Sequence, residues 1–346
     1  MRRTVKPLIL TAALASASAP CVAAVRQEIP IAENVAAVKS THQPSIRIGT
    51  TTVYTDLTYS TVPGFRPLLL DLYVPASKGP RPLVIFVHGG SWTMGSKRLT
   101  GHYADFPGVL ASLANRGFTV ASIDYRLSSE AKFPAAVQDV KAAIRYMRAN
   151  ASRYGIDRNR VAVWGASAGA HLAAMAALTG DEPSLEPEYR DNSELSDRVQ
   201  ALVGWYGPYD MATMFKQAAS ASPAPANPGS PEAAAEAMGP LNFFGCTMQG
   251  CPPGIIEKAS PVTWIDKNDP PTLLVHGTSD TTVPPDQSIN FYNRLKAAGV
   301  KADLQLIDWA DHSWTGPDAE ETATASRKAI ETTFDWLEKT MLKKKN

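Results

Sequence analysis

A weak hydroxyl nucleophile can attack an acyl carbon when an imidazole takes its proton and a carboxylate orients that imidazole. In this 346-residue chain the hydroxyl is Ser167, within Gly165-Ala166-Ser167-Ala168-Gly169. The apolar run Val161-Ala162-Val163-Trp164 precedes it, and an Ala-rich segment with helical spacing follows. Strand, sharp turn and helix are the context that gives a G-x-S-x-G motif its meaning. Such a turn forces Ser167 into a strained backbone, while Gly165 and Gly169, lacking Cβ atoms, let strand and helix close on each other. The plainer reading, a small-residue turn with an incidental serine, does not account for the flanking elements.

Six histidines could serve as the base. His42 lies near the N-terminus, His102 in a loop, and His171 on the helix after Ser167. His88 and His276 each end an apolar run just before glycine, a place that suits a buried, hydrogen-bonded role. His312, in Asp308-Trp309-Ala310-Asp311-His312-Ser313, follows the last expected strand and is the candidate base. Asp280, in His276-Gly277-Thr278-Ser279-Asp280, is the preferred acid. Asp308 and Asp311 flank His312 too closely to face its Nδ1 easily, whereas Asp210 stays a rival by position. For the developing oxyanion, the backbone N–H groups of Gly89 and Gly90 in His88-Gly89-Gly90-Ser91-Trp92 join that of Ala168. Each such donor typically contributes about 3 kcal/mol to the transition state.

The elements that must position these groups alternate. Residues 45–61 and 68–74 read as strands of an antiparallel edge hairpin turned at Pro63-Gly64. The continuous apolar run Leu83 to Val87 suits a parallel strand covered on both faces. A helix is expected over 106–115, a strand over 118–124 and one long helix over 133–154. After the Ser167 unit come strands at 199–206 and 272–276, a helix at 285–298, a strand at 302–307 and a helix at 319–341. This pattern predicts a mostly parallel, doubly wound α/β sheet. An insertion of about 211–259 interrupts it. Its Pro/Ala/Ser-rich stretch, 220–237, reads either as a linker or as part of a small lid over the site. Residues 181–197, acidic and polar, read as a surface excursion.

Thirty-four basic and thirty-three acidic residues give no net field to gather nucleic acid or an anionic membrane. Arg2, Arg3 and Lys6, an apolar stretch and Val22-Ala23-Ala24 form a signal-peptide pattern with cleavage near Ala24. A secreted or periplasmic protein is therefore expected, by general or twin-arginine export. Residues 25–45 read as an N-terminal arm and 46–346 as the main domain. The apolar stretch is too short to span a bilayer, so no integral membrane association is expected. Cys246 and Cys251 pair as a small disulfide in a turn-rich loop, and without a nearby histidine they make a poor metal site.

From residue 66 to about 340 the chain resembles α/β-hydrolase esterases and lipases of the hormone-sensitive-lipase-like group. Within these it is more similar to bacterial esterases grouped with feruloyl and acetylxylan esterases. The resemblance rests on VIFVHGGSW from Val84, DYRL from Asp124, GASAG from Gly165 and WYGPYD from Trp205. SPVTWI from Ser260, PPTLLVHGTSD from Pro270 and His312 complete it. It implies an α/β-hydrolase fold with an antiparallel N-terminal edge and a small lid-like insertion, the chain order Ser167, Asp280, His312, and no cofactor. The implied activity is a serine carboxylesterase acting on short-chain or aromatic esters, either small molecules or acetyl and feruloyl groups linked to plant-wall polysaccharide. Trp92, Tyr125, Trp205, Tyr206 and Trp314 are expected near the pocket. Ser91 stands where lipases of the group often have a third glycine; its N–H survives, but its Cβ narrows the acyl side. A serine peptidase of the same fold and a non-catalytic ligand-binding scaffold are the alternatives.

Overall fold

The computed structural model describes residues 44–187, 191–214, 217, 243–246 and 250–342. The expected signal peptide, most of the N-terminal arm and the 220–237 stretch lie outside the described residues.

Nine strands form one sheet in the order β1-β2-β3-β5-β4-β6-β7-β8-β9. β1 (Ser45–Ile48), β2 (Thr51–Ser60) and β3 (Leu68–Val74) are the antiparallel edge, and β3 also runs antiparallel to β5 (Thr119–Ile123). From β5 onward neighbours are parallel: β4 (Arg81–Val87), β6 (Ile156–Ala166), β7 (Ala201–Trp205), β8 (Thr272–Gly277) and β9 (Ala302–Ile307). Every residue of β4 is buried, as an unbroken apolar run covered on both faces requires.

Helices cover both faces. α1 (Phe106–Asn115) lies with the C-terminal helix on one side, where Leu110, Leu113, Phe334 and Leu337 meet Phe86 and Trp164. α2 (Ala135–Ala149) and α4 (Ala168–Leu178) pack on the other through Ile144, Met147, Leu172 and Met175. The short α3 (Ala151–Tyr154) and α5 (Ile255–Lys258) precede α6 (Asp286–Ala297) and α7 (Ala319–Met341). Strand order and helix placement make this an α/β-hydrolase fold.

Three expectations are corrected. The run 45–61 is two strands, because Gly49 adopts φ 58° and turns the chain back on itself. The helix expected over 133–154 is two, broken at Asn150, with the second ended by Gly155 at φ 63°. The 181–197 excursion is not wholly superficial: Leu185 enters the core, and Asp197 and Glu186 meet the buried cations Lys141 and Arg145. Asp197 is itself fully buried, 3.0 Å from Lys141 Nζ and 3.1 Å from Arg145 Nη2. Charge read along the chain suggested solvation; pairing across the chain removes the need for it.

Candidate active site

Ser167 ends the turn between β6 and α4 with φ 55° and ψ −123°, a strained conformation for a residue with a Cβ. Its amide donates to the carbonyl of Trp205 on β7, 2.8 Å away, which ties the turn to the sheet. A Cβ on Gly165 would lie 2.1 Å from the carbonyl oxygen of Gly169, and one on Gly169 would lie 2.1 Å from that of Val87. Both contacts are with backbone that cannot move aside. The serine is thereby held at the carboxyl end of β6 and the N-terminus of α4.

His312 lies in the loop beyond β9. Its Nε2 is 3.0 Å from Ser167 Oγ, and its Nδ1 is 2.8 Å from Asp280 Oδ2. An ionised carboxylate only accepts, so Nδ1 carries the proton and Nε2 is left to accept from the serine hydroxyl. Asp280, beyond β8, is buried, and its Oδ1 accepts the amides of Thr282 and Val283 at 3.0 and 2.8 Å. Burial alone would push its carboxyl up, but hydrogen bonds from His276 and His312 override this and bring it down to about 2. Asp210 is elsewhere: its Oδ1 accepts the amides of Ala212 and Thr213, and so caps the turn that follows it.

The oxyanion elements converge on the same serine. A Cβ on Gly89 would lie 2.7 Å from Ala166 O and 3.2 Å from Ser167 Cβ, so the loop after β4 lies directly against the serine turn. Gly90 has φ 113°, and a Cβ there would lie 2.3 Å from Met94 O. Carbonyls and side chains of the described residues leave the N–H groups of Gly89, Gly90 and Ala168 unclaimed. Together they can stabilise negative charge on a carbonyl oxygen attacked by Ser167.

The remaining histidines support this frame. His276 is buried; it accepts from Ser288 Oγ through Nδ1 at 2.6 Å, and its Nε2 donates to Val283 O and, at 3.2 Å, to Asp280 Oδ2. A residue read only as structural thus also touches Asp280. His88 Nδ1 lies 2.7 Å from Gly89 O, and its ring stacks on Tyr125. His171 accepts from Trp92 Nε1 and donates to Ala259 O. Burial pushes its imidazole down to about 4, against the pull of that carbonyl, so it stays neutral as the accepted hydrogen bond requires. His102 meets Thr315 Oγ1 near the surface. Lys97 was not singled out from sequence. Its Nζ and amide both bind Asp124, at 2.7 and 2.8 Å, pinning the loop that carries Gly89 and Gly90. Its only signal was the aspartate of the DYRL segment.

The five aromatics expected near the pocket, Trp92, Tyr125, Trp205, Tyr206 and Trp314, are all buried. Tyr125 donates to His88 O, Trp205 donates to Thr333 Oγ1, and Trp314 packs edge-on against Trp205. Trp92 stacks on Phe243 with ring centres 4.6 Å apart, while Tyr206 packs edge-on against the His312 ring at 4.7 Å. Through these contacts they hold loops and ring orientations. Cys246 and Cys251 are disulfide-bonded, with Cα atoms 5.0 Å apart. Among the described residues no group of side chains could hold a metal ion, and no helix is long and apolar enough to cross a membrane.

The family model BD-FAE matches residues 70–295, a span that runs from β3 past Ser167 and Asp280 to α6. This chain belongs to the BD-FAE family. Among its curated relatives is the esterase LipC of Mycobacterium tuberculosis, 34% identical over 70% of this chain and 57% of that protein. Another is the isoprenylcysteine alpha-carbonyl methylesterase ICME of Arabidopsis thaliana, 31% identical over 70% of this chain and 53% of that protein. The BD-FAE chain described here therefore spans about half the length of the curated relatives it matches. Among solved structures, a truncated carbohydrate esterase from gut microbiota superposes with TM-score 0.67 at 28% identity, covering 87% of this chain and all of that one. A thermophilic esterase of Thermogutta terrifontis, in a butyrate-bound structure, gives 0.64 at 26% identity, with 84% and 96% covered.

Proposed function

We propose that this BD-FAE protein is a serine carboxylesterase working through an acyl-enzyme. The observation that carries the proposal is the hydrogen-bonded line from Ser167 Oγ through His312 to Asp280. Ser167 Oγ attacks the ester carbonyl carbon as its proton passes to His312 Nε2. The carbonyl oxygen becomes negative against the amides of Gly89, Gly90 and Ala168. Collapse breaks the bond to the alcohol, which leaves with the proton from His312. Water then attacks the acyl-serine by the same route, with His312 again as base. Asp280 keeps Nδ1 protonated and favours the imidazolium that forms. Its carboxyl lies at about 2, so it remains ionised through mild acid.

The substrates are short-chain or aromatic esters, among them acetyl or feruloyl groups carried on plant-wall polysaccharide. The motif resemblance and the likeness to a carbohydrate esterase support this class. The signal-peptide pattern and the disulfide support export. The test is hydrolysis of p-nitrophenyl esters of increasing chain length, methyl ferulate, acetylated xylan and an anilide, by wild type and Ser167→Ala. Ester turnover that Ser167→Ala abolishes, together with organophosphate labelling of Ser167, is expected. Turnover surviving in Ser167→Ala would refute the mechanism, and a preference for the anilide would make the protein a peptidase.

A further inference from the structure

Asp280 and His312 stand on separate loops, so their hydrogen bond depends on how those loops are held together. Near the sheet the two loops are joined by backbone, Thr278 N donating to Ile307 O and Ser279 N to Ala310 O, with Trp309 N also donating to the Thr278 hydroxyl. At the tips, where acid and base sit, the link is a side chain. Asp311 Oδ1 accepts the amide of Thr281, the residue after the acid, at 2.9 Å. The same oxygen accepts the amide of His312, the base itself, at 2.7 Å. The hydroxyl of Thr281 lies 3.3 Å from it as well. The loop around Asp311 is closed on itself, with Asp311 N donating to Thr315 O and Trp314 N to Asp311 O. A rigid turn therefore presents one oxygen that fixes the backbone of acid and base against each other.

We infer that Asp311, once a rival for the role of acid, is a positioning residue that clamps the Asp280 loop to the His312 loop. The inference rests on the serine esterase reading. Asp311 is only part-buried, so its removal leaves the core intact. Truncation removes the oxygen that the two amides share and lets the tips drift, and displacement on the scale of 1 Å is enough to cost about a hundredfold in rate. Of the other ionisable groups, Asp280 binds His312 Nδ1, Tyr206 packs on its ring and His102 binds Thr315. None of them bridges the two amides.

The experiment compares Asp311→Ala with Asp311→Asn, whose side-chain oxygen can still accept both amides while the charge is gone. For Asp311→Ala, kcat on p-nitrophenyl acetate is expected to fall about ten- to a hundredfold with KM within about twofold. Asp311→Asn is expected to stay within about threefold of wild type, since the clamp and not the charge is retained. Low-field proton NMR of His312 Nδ1–H reads the bond to Asp280 without turnover; the resonance should broaden or vanish in Asp311→Ala and persist in Asp311→Asn. Unchanged kcat and resonance in Asp311→Ala, or equal damage in both variants, would overturn the clamp. If wild type hydrolyses no ester, the esterase reading fails, and the resonance still decides whether Asp311 holds the two loops.

Discussion

Asp280→Asn puts the orienting carboxylate to the test in two independent readouts. In the native site Oδ1 accepts two backbone amides, while Oδ2 faces N–H groups of His312 and His276. An asparagine placed to keep the backbone pair must turn its NH₂ toward two other donors. His312 escapes by moving its proton to Nε2, where it faces Ser167 and can no longer accept. The wrong tautomer in such a triad costs about 10⁴ in kcat, or about 5.5 kcal/mol. Stability should change as well. The carboxyl lies at about 2 against an ordinary 3.8, which corresponds to roughly 2 kcal/mol in favour of the folded, ionised form. Because the folded value is depressed, this contribution is complete above the unfolded value and is lost as pH falls from about 4 to about 2. Wild type and variant should thus differ in urea midpoint at neutral pH and converge in acid. Steady-state hydrolysis of p-nitrophenyl acetate supplies the rate, with Asp210→Asn as control. A variant retaining more than about a tenth of wild-type kcat, or an equal loss in Asp210→Asn, would refute the assignment of Asp280.

Two further outcomes follow from contacts elsewhere. In Gly89→Ala the new Cβ meets Ala166 O at 2.7 Å and pushes the oxyanion loop off the serine turn; kcat should fall by about 10² to 10³ with near-UV circular dichroism preserved, and full activity would show that the Gly89 amide is not a donor. Asp197→Ala removes one of the two carboxylates that the buried Lys141 and Arg145 share and leaves Glu186 alone against both cations. It should lower unfolding free energy by about 3–5 kcal/mol in urea titrations; a loss below about 1 kcal/mol would mean that the excursion is anchored by other contacts.

The serine turn was legible because its sequence signal is local. Two glycines, an apolar run before and a helical run after are adjacent in the chain, and Gly165 meets Gly169 on that same stretch, whereas the close approach of Gly169 to Val87 on β4 appears only in the fold. The parallel strands were legible for a similar reason: an unbroken apolar run such as Leu83 to Val87 is compatible with few environments other than burial on both faces. The break at Gly49 and the break at Asn150 were missed because periodicity continues across a single turn residue.

The sequence alone determined the fold class, the serine on its turn, and a short slate of histidines and carboxylates at strand ends. Which carboxylate faces His312 was decided by tertiary structure, since Asp280 and Asp210 both follow strands and only the packing of the last two loops tells them apart. The bond from His276 to the acid, the hold of Lys97 on Asp124 and the two amides on Asp311 were equally out of reach. Each joins groups whose distance depends on strand order and loop closure. Hydrogen bonds depend on tenths of an ångström and on direction, and a linear string of residue types carries neither.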